Sequence, residues 1–317
     1  MTSRHDIPII DFSLFETKKV TCAQQIKEAS VSIGFLYLRN HGIDQSDIDN
    51  IFVVSQEYFS LPTETKLEHR IKRDNFGYSA LHQETLDPET QNTGDFKEAF
   101  NFGKFVGGNC SQELPATLAQ HKDFLAKFSR ICHNLCLKIL EAFAIALEIP
   151  ETEGGKGWFT ERHLYELESG DILRVLHYPA VKSIDHDDMR AGSHSDYGSL
   201  TLLFQKDVGG LEVLSGDDQW ISAPVIPGCV LVNIGDLLEY WSGGLFRSTK
   251  HRVVFRHDNL LLDRYSVAYF CHAADDVSLE PIPSRLVVGR MEVNSSDGRV
   301  LTAGQHLRNR LDASYKY

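Results

Sequence analysis

The apolar positions of the chain pass through three textures. At the front, "IPIIDF" reads as a short strand, Cys22 to Ser32 as a helix, and "GFLYLRNHG" (Gly34 to Gly42) as a strand rich in aromatic and branched residues. "DQSDIDNIFVVSQEYFSLP" opens on acidic residues and ends at Pro62, which predicts a second helix. Arg70 to Gly108 is polar, Gly-punctuated and without a clear period, so it predicts a loop. A loop that long in a compact protein is a lid, a substrate-contacting segment or a plain surface excursion. Leu118, Phe124, Leu125, Phe128, Ile131, Leu135, Ile139 and Phe143 then recur at threes and fours, predicting one long amphipathic helix that ends before Pro150. "EGGKG" (Glu153 to Gly157) reads as a flexible connector; it lacks the Gly-Lys-Ser/Thr ending and the preceding strand of a phosphate loop. From Asp171 the texture becomes a series of short runs, "DILRVLHY", "SLTLLFQ", "GLEVL", "CVLVNIG", "HRVVF" and "RYSVAYF", which points to a β-sandwich or barrel. Leu301 to Tyr317 predicts a last helix.

Composition narrows the class without naming an activity. A hydrophobic fraction of 42% and a charged fraction of 24% are those of an ordinary globular protein. The net charge of -12, with no run of Lys and Arg, argues against a nucleic-acid partner. No stretch approaches the ~20 apolar residues of a membrane span, and the first residues lack the blocks of a signal peptide, so the expected address is cytoplasmic. Six cysteines without a CxxC pair suit free thiols in a reducing compartment, and Cys132 and Cys136, four apart in a helix, read as core residues.

Candidate chemistry begins at "GSHSDYGSLTLLFQ". In a strand, His194 and Asp196 would share a face, so two ligands could converge on one ion. With 14 His in 317 residues, roughly one such His-x-Asp pair is expected by chance, and His186 with Asp188 is indeed a rival. That rival lies in a charged segment with no apolar continuation and reads as a solvated turn. Asp185, Asp187 and Asp196 have calcium-loop spacing, but Arg190 stands where such a loop needs glycine. His194 and Asp196 have better company: His251 enters another strand 57 residues later. Two imidazoles and one carboxylate on three adjacent corners of an octahedron form the facial triad of non-haem Fe(II). Arg264 and Ser266 repeat the spacing of two and offer a guanidinium and a hydroxyl to a carboxylate, or an inward Arg to a core acid. Tyr178 adds a phenol within reach of the same anion.

Together these segments resemble the Fe(II)- and 2-oxoglutarate-dependent oxygenase superfamily, in the branch similar to isopenicillin N synthase; "IPIIDFS" and "GFLYLRNHGI" resemble that branch's N-terminal region. The resemblance implies an α+β fold with a double-stranded β-helix, a distorted jelly roll, flanked by helices and preceded by a mixed α/β region. It places the N-terminal region at residues 1–120, a helical connection at 121–168, the jelly-roll core at 169–275 and a C-terminal extension at 276–317. It implies catalytic metal ligands His194, Asp196 and His251, with Arg264, Ser266 and Tyr178 binding 2-oxoglutarate. Fe(II), 2-oxoglutarate and O2 are the implied cofactors, with ascorbate as a candidate reductant and a small molecule as substrate. Many relatives carry asparagine where this chain has Leu176, two positions before the tyrosine. The stretch from Phe76 to Phe100 resembles the relatives' substrate entrance, and Phe270, Phe204 and Trp241 are candidate apolar walls, for each of which plain core packing is the stronger reading. Three other readings stay open: an oxidase of the isopenicillin N synthase type that does not use 2-oxoglutarate, a non-catalytic jelly-roll binding protein, and a zinc hydrolase.

Overall fold

A computed structural model describes residues 6–182, 189–256, 260–287 and 300–314. The first part of the chain supplies β1 (Ile9–Asp11), α1 (Leu14–Thr17), α2 (Lys19–Ser32), β2 (Phe35–Arg39), α3 (Gln45–Phe59) and α4 (Thr63–Leu67). It continues through β3 (Gly77–Ser79), β4 (Glu98–Phe102), β5 (Phe105–Val106), β6 (Asn109–Cys110) and α5 (Ala116–Ala119). The long α6 (Lys122–Ala146) and three 3-10 turns lead to β7 (Ile172–Tyr178), β8 (Ala191–His194), β9 (Leu200–Lys206), β10 (Leu211–Leu214) and β11 (Trp220–Ser222). After these come β12 (Cys229–Ile234), α7 (Asp236–Trp241), β13 (His251–Val253), β14 (Arg264–Cys271) and α8 (Ala303–Ser314).

Two sheets face each other. The larger runs β1-β2-β12-β9-β14-β7-β4-β3 and the smaller β11-β10-β13-β8. All their pairings are antiparallel except β1 with β2. This is the jelly roll expected from the run of short strands. The central strands are covered on both faces, which explains their near-continuous apolar sequences. On β14, Val267, Tyr269 and Cys271 join the core beneath the helices, while Ala268 joins the cluster between the sheets. On β7, Leu173 and Val175 face the helices, and Leu176 and Tyr178 face inward.

Helix α6 packs on α2, and its buried stripe includes Leu125, Phe128, Leu135, Ile139 and Phe143, as the spacing predicts. Cys132 and Cys136 are fully buried free thiols of the same stripe. Leu118 belongs instead to the separate α5, because the backbone leaves helical geometry at His121. "EGGKG" is a pair of 3-10 turns joined where Gly154 and Gly155 both adopt positive φ (105° and 51°), a conformation that glycine alone adopts without steric cost.

The predicted loop from Arg70 to Gly108 contains three strands, and one of them, β4, is wholly buried within the large sheet. Its sequence, "EAFNF", carries Glu98 and Asn101 inside the protein. Glu98 accepts from Lys66 Nζ (2.7 Å), His177 Nδ1 (2.7 Å) and the Tyr78 hydroxyl. Paired polar groups on a buried strand leave no hydrophobic run to read, which is why pattern analysis passes over it.

Candidate active site

His194 is the last residue of β8 and His251 the first of β13, and the antiparallel ladder sets them directly opposite each other. Their ring centroids are 4.3 Å apart. Asp196 is not on the strand face that its spacing suggests: β8 ends at His194, and Asp196 lies in the turn leading to β9. Hydrogen bonds hold it there. Its Oδ2 accepts from Thr201 Oγ1 (2.6 Å) and Asn233 Nδ2 (2.7 Å), and its carbonyl accepts from the Asp236 amide (2.7 Å). Oδ1 is thereby left facing both imidazoles, 3.9 Å from His194 Nε2 and 3.7 Å from His251 Nε2.

The protonation pattern suits a metal. His194 Nδ1 lies 2.8 Å from the Gly192 carbonyl and His251 Nδ1 3.2 Å from that of Thr249. A carbonyl only accepts, so each Nδ1 carries a proton and Nε2 is the ring atom turned toward Asp196. Burial, then the neighbouring His251 ring, pushes the His194 pKa down, which keeps that imidazole neutral. Burial raises the Asp196 carboxyl, but His251, His194, Asn233 and Thr201 together outweigh it and hold the group below its ordinary range. One atom from each residue lies within 4.8 Å of the others. Two imidazole nitrogens and a carboxylate oxygen are a fitting donor set for ferrous iron.

A second cluster, His133, Asp171 and Cys271, has similar spacing but different chemistry. His133 donates from Nε2 to the His163 carbonyl (2.7 Å), and its Nδ1 is 3.1 Å from the Tyr269 hydroxyl. Asp171 Oδ1 accepts from the His272 amide. These groups tie α6 to β14 within the core.

Arg264 opens β14, and the register sets it opposite Tyr178 on β7. It is 1% exposed. Nη1 donates to Ser266 Oγ (3.3 Å) and Nη2 to Gln205 Oε1 (3.0 Å), and the guanidinium carbon lies 4.7 Å from the Tyr178 ring centroid. Nε has no hydrogen-bond partner, and no carboxylate pairs with this guanidinium among the described residues. Among the described residues no core acid takes this inward Arg, and a buried cation of this kind fits the carboxylate of 2-oxoglutarate. Leu176 sits opposite Ser266 and lines the cavity.

Sequence reasoning missed Thr201, Asn233 and Gln205, whose roles depend on register across the sheet. It also missed Arg190, which is fully buried, stacks over Phe255 at 4.9 Å and donates to the Leu262 carbonyl at 3.2 Å. Burial first, and Arg264 second, push its pKa down to about 10. Two guanidiniums thus make this end of the barrel electropositive. His186 and Asp188, the rival pair, lie outside the described residues, as do Asp185 and Asp187.

A cavity of about 460 Å³ runs between the sheets and reaches all six predicted site residues: His194, Asp196, His251, Arg264, Ser266 and Tyr178. Phe76 and Phe270 line it, and Leu307 and Leu311 of α8 close one side. Phe204 and Trp241 do not reach it: Phe204 packs on Phe128, and Trp241 packs against Trp158 and Phe159.

Residues 169–273 match the model of the 2OG-Fe(II) oxygenase superfamily, and residues 7–123 match that of the N-terminal region of a non-haem dioxygenase in morphine synthesis. A full-length Neurospora crassa protein, solved in complex with alpha-KG (2-oxoglutarate) and thymine, is 34% identical with a TM-score of 0.83, covering 99% of each chain. The chain belongs to the 2OG-Fe(II) oxygenase superfamily. A UPF0676 protein of Schizosaccharomyces pombe is 35% identical over 98% of this chain and 94% of the relative. A proline hydroxylase of Petromyces alliaceus is 32% identical over 92% of this chain and 93% of the relative. This oxygenase is therefore a 2-oxoglutarate-dependent dioxygenase, an oxidoreductase whose family uses Fe(II), 2-oxoglutarate and O2. Among its described residues, no helix is long and apolar enough to cross a membrane.

Proposed function

We propose that the protein hydroxylates a small organic molecule: R–H, O2 and 2-oxoglutarate give R–OH, succinate and carbon dioxide. The observation that carries this reading is a His/Asp/His set and a buried Arg264, without a carboxylate partner among the described residues, lining one cavity. His194 Nε2, His251 Nε2 and one oxygen of Asp196 would hold the iron, which when bound supplies the activation of O2 that no side chain can. Thr201 and Asn233 keep Asp196 ionised and aimed. Arg264 and Ser266, with the Tyr178 ring beneath the guanidinium, would take the distal carboxylate of 2-oxoglutarate and so fix its reacting end toward the triad. The apolar lining, including Leu176, Phe270 and Val253, keeps bulk water from the reacting centre. Hydroxylation of a small molecule agrees with the proline hydroxylase relative and with thymine bound in the Neurospora protein.

Anaerobic titration of the apoprotein with Fe(II) and then 2-oxoglutarate tests this. A weak visible charge-transfer band is expected on adding 2-oxoglutarate, lost in Asp196→Ala and kept when His186 and Asp188 are both replaced. Iron bound without the band would turn the assignment toward an oxidase that takes no 2-oxoglutarate. Loss of the band only in the His186/Asp188 variant would move the metal centre.

A further inference from the structure

Four positions along β14 and β7 grade the cavity wall. Arg264 pairs with Tyr178, Ser266 with Leu176, Ala268 with Arg174 and Phe270 with Ile172, and all eight line the cavity. Beyond Arg174, the same row continues across β4 to Asn101. The carboxylate grip and this Arg174/Asn101 pair are therefore separate stations on one wall, four residues apart along each strand.

At the second station, one group is incomplete. Asn101 is 2% exposed. Its Nδ2 donates to the Asn75 carbonyl (2.9 Å) and to Asn75 Oδ1 (3.3 Å). The Asn75 backbone carbonyl only accepts, so the Asn101 amide cannot be turned the other way. Its Oδ1 is thus held away from Asn75, and it has no hydrogen-bond partner among the described residues. A buried amide oxygen of this kind is costly to leave unmade, and Asn101 is one of the residues that line the cavity.

The surroundings indicate what should meet it. Arg174 Nη2 is bound by both oxygens of Glu84 (2.6 and 2.7 Å), and Lys97 contacts Glu84 (3.2 Å) and Asp95. Two cations and two carboxylates are mutually paired here, so the wall calls for no counter-ion. What Asn101 lacks is a neutral hydrogen-bond donor. Phe76 and Phe270 border the same space with aromatic faces, which suit a flat or compact ring.

We propose that Asn101 selects the primary substrate by accepting a hydrogen bond from a neutral N–H group, as in a lactam, an imide or a heterocyclic amide. The proposal rests on the cavity being the oxygenase's substrate site. It makes Asn101 a specificity residue that touches substrate, while the iron and 2-oxoglutarate positions are left intact when it is changed.

The test uses the full chain loaded anaerobically with Fe(II) and 2-oxoglutarate, with calorimetric binding of matched probes: δ-valerolactam against δ-valerolactone, and thymine against its N-methylated forms. The lactone keeps the ring and removes only the donor. In the wild type, at least one N–H probe is expected to bind about tenfold or more tightly than its partner. In Asn101→Ala that ratio should collapse to about twofold or less, with the 2-oxoglutarate charge-transfer band and its titration midpoint unchanged. The wild-type comparison stands even if the variant folds poorly. A panel in which no N–H probe outbinds its partner overturns the inference, and so does a folded Asn101→Ala that keeps the preference. A wild type without the charge-transfer band overturns the proposed function as well, which separates the two failures.

Discussion

At the scale of single residues, the site divides into groups that spacing reveals and groups that only register reveals. His194 and Asp196 were legible as ligand types two apart before an apolar run, although a turn and not a shared strand face brings them together, and His251 through its place at the entry of another strand and the family resemblance. Arg264 and Ser266 were legible as a guanidinium and a hydroxyl two apart on one strand. Thr201, Asn233, Gln205 and Asn101 were not, since nothing in their local sequence distinguishes them from ordinary strand residues. They matter only through what lies across the sheet. The pair proposed to hold the 2-oxoglutarate carboxylate gives a direct expectation. Arg264→Lys keeps the charge but loses the planar fork that reaches Ser266 and Gln205 together. Its dissociation constant for 2-oxoglutarate, measured by calorimetry on the iron-loaded protein, should rise by roughly 10- to 100-fold, the equivalent of one charge-assisted hydrogen bond. An unchanged constant would place the carboxylate elsewhere.

At the scale of elements, β7, β9, β12 and β14 announced themselves as apolar runs, whereas β4 did not, because its interior carries charge. Glu98 is held by Lys66, His177 and Tyr78, all buried. Burial pushes the Glu98 carboxyl up, but the hydrogen bonds from His177, Lys66 and Tyr78 outweigh it, so its pKa in the folded protein is lowered. A carboxyl whose folded pKa is depressed stabilises the fold above its unfolded pKa, and that stability is lost as pH falls through the folded value. Glu98→Gln leaves Lys66 buried without its counter-charge and should cost about 3–5 kcal/mol in urea unfolding near neutral pH. The variant should also lose part of the wild type's decline in stability on acidification below the ordinary glutamate range. A loss within experimental error would mean that Lys66 finds water or another acceptor.

At the scale of the whole molecule, the large sheet is completed from both ends of the sequence. Its core strands β12 and β7 are flanked by β2 and β4, which come from the N-terminal region. A fragment beginning at residue 169 would expose two long, apolar strand edges. We expect it to aggregate or to lack a cooperative thermal transition, and a soluble fragment with a sharp transition would show that the jelly roll stands alone. The way His194 and His251 meet has a different consequence. Because they are rungs of one ladder, pleating and strand spacing govern the separation of the two rings, and the length of the 56-residue excursion joining them does not. Within that excursion only the hairpin tips, such as residues 215–219 between β10 and β11, can change length freely, because Asp196 and its anchors Thr201 and Asn233 also lie there. Deleting a single residue between Thr249 and His251 would instead rotate an imidazole out of the barrel, leaving a well-packed protein unable to hold its metal.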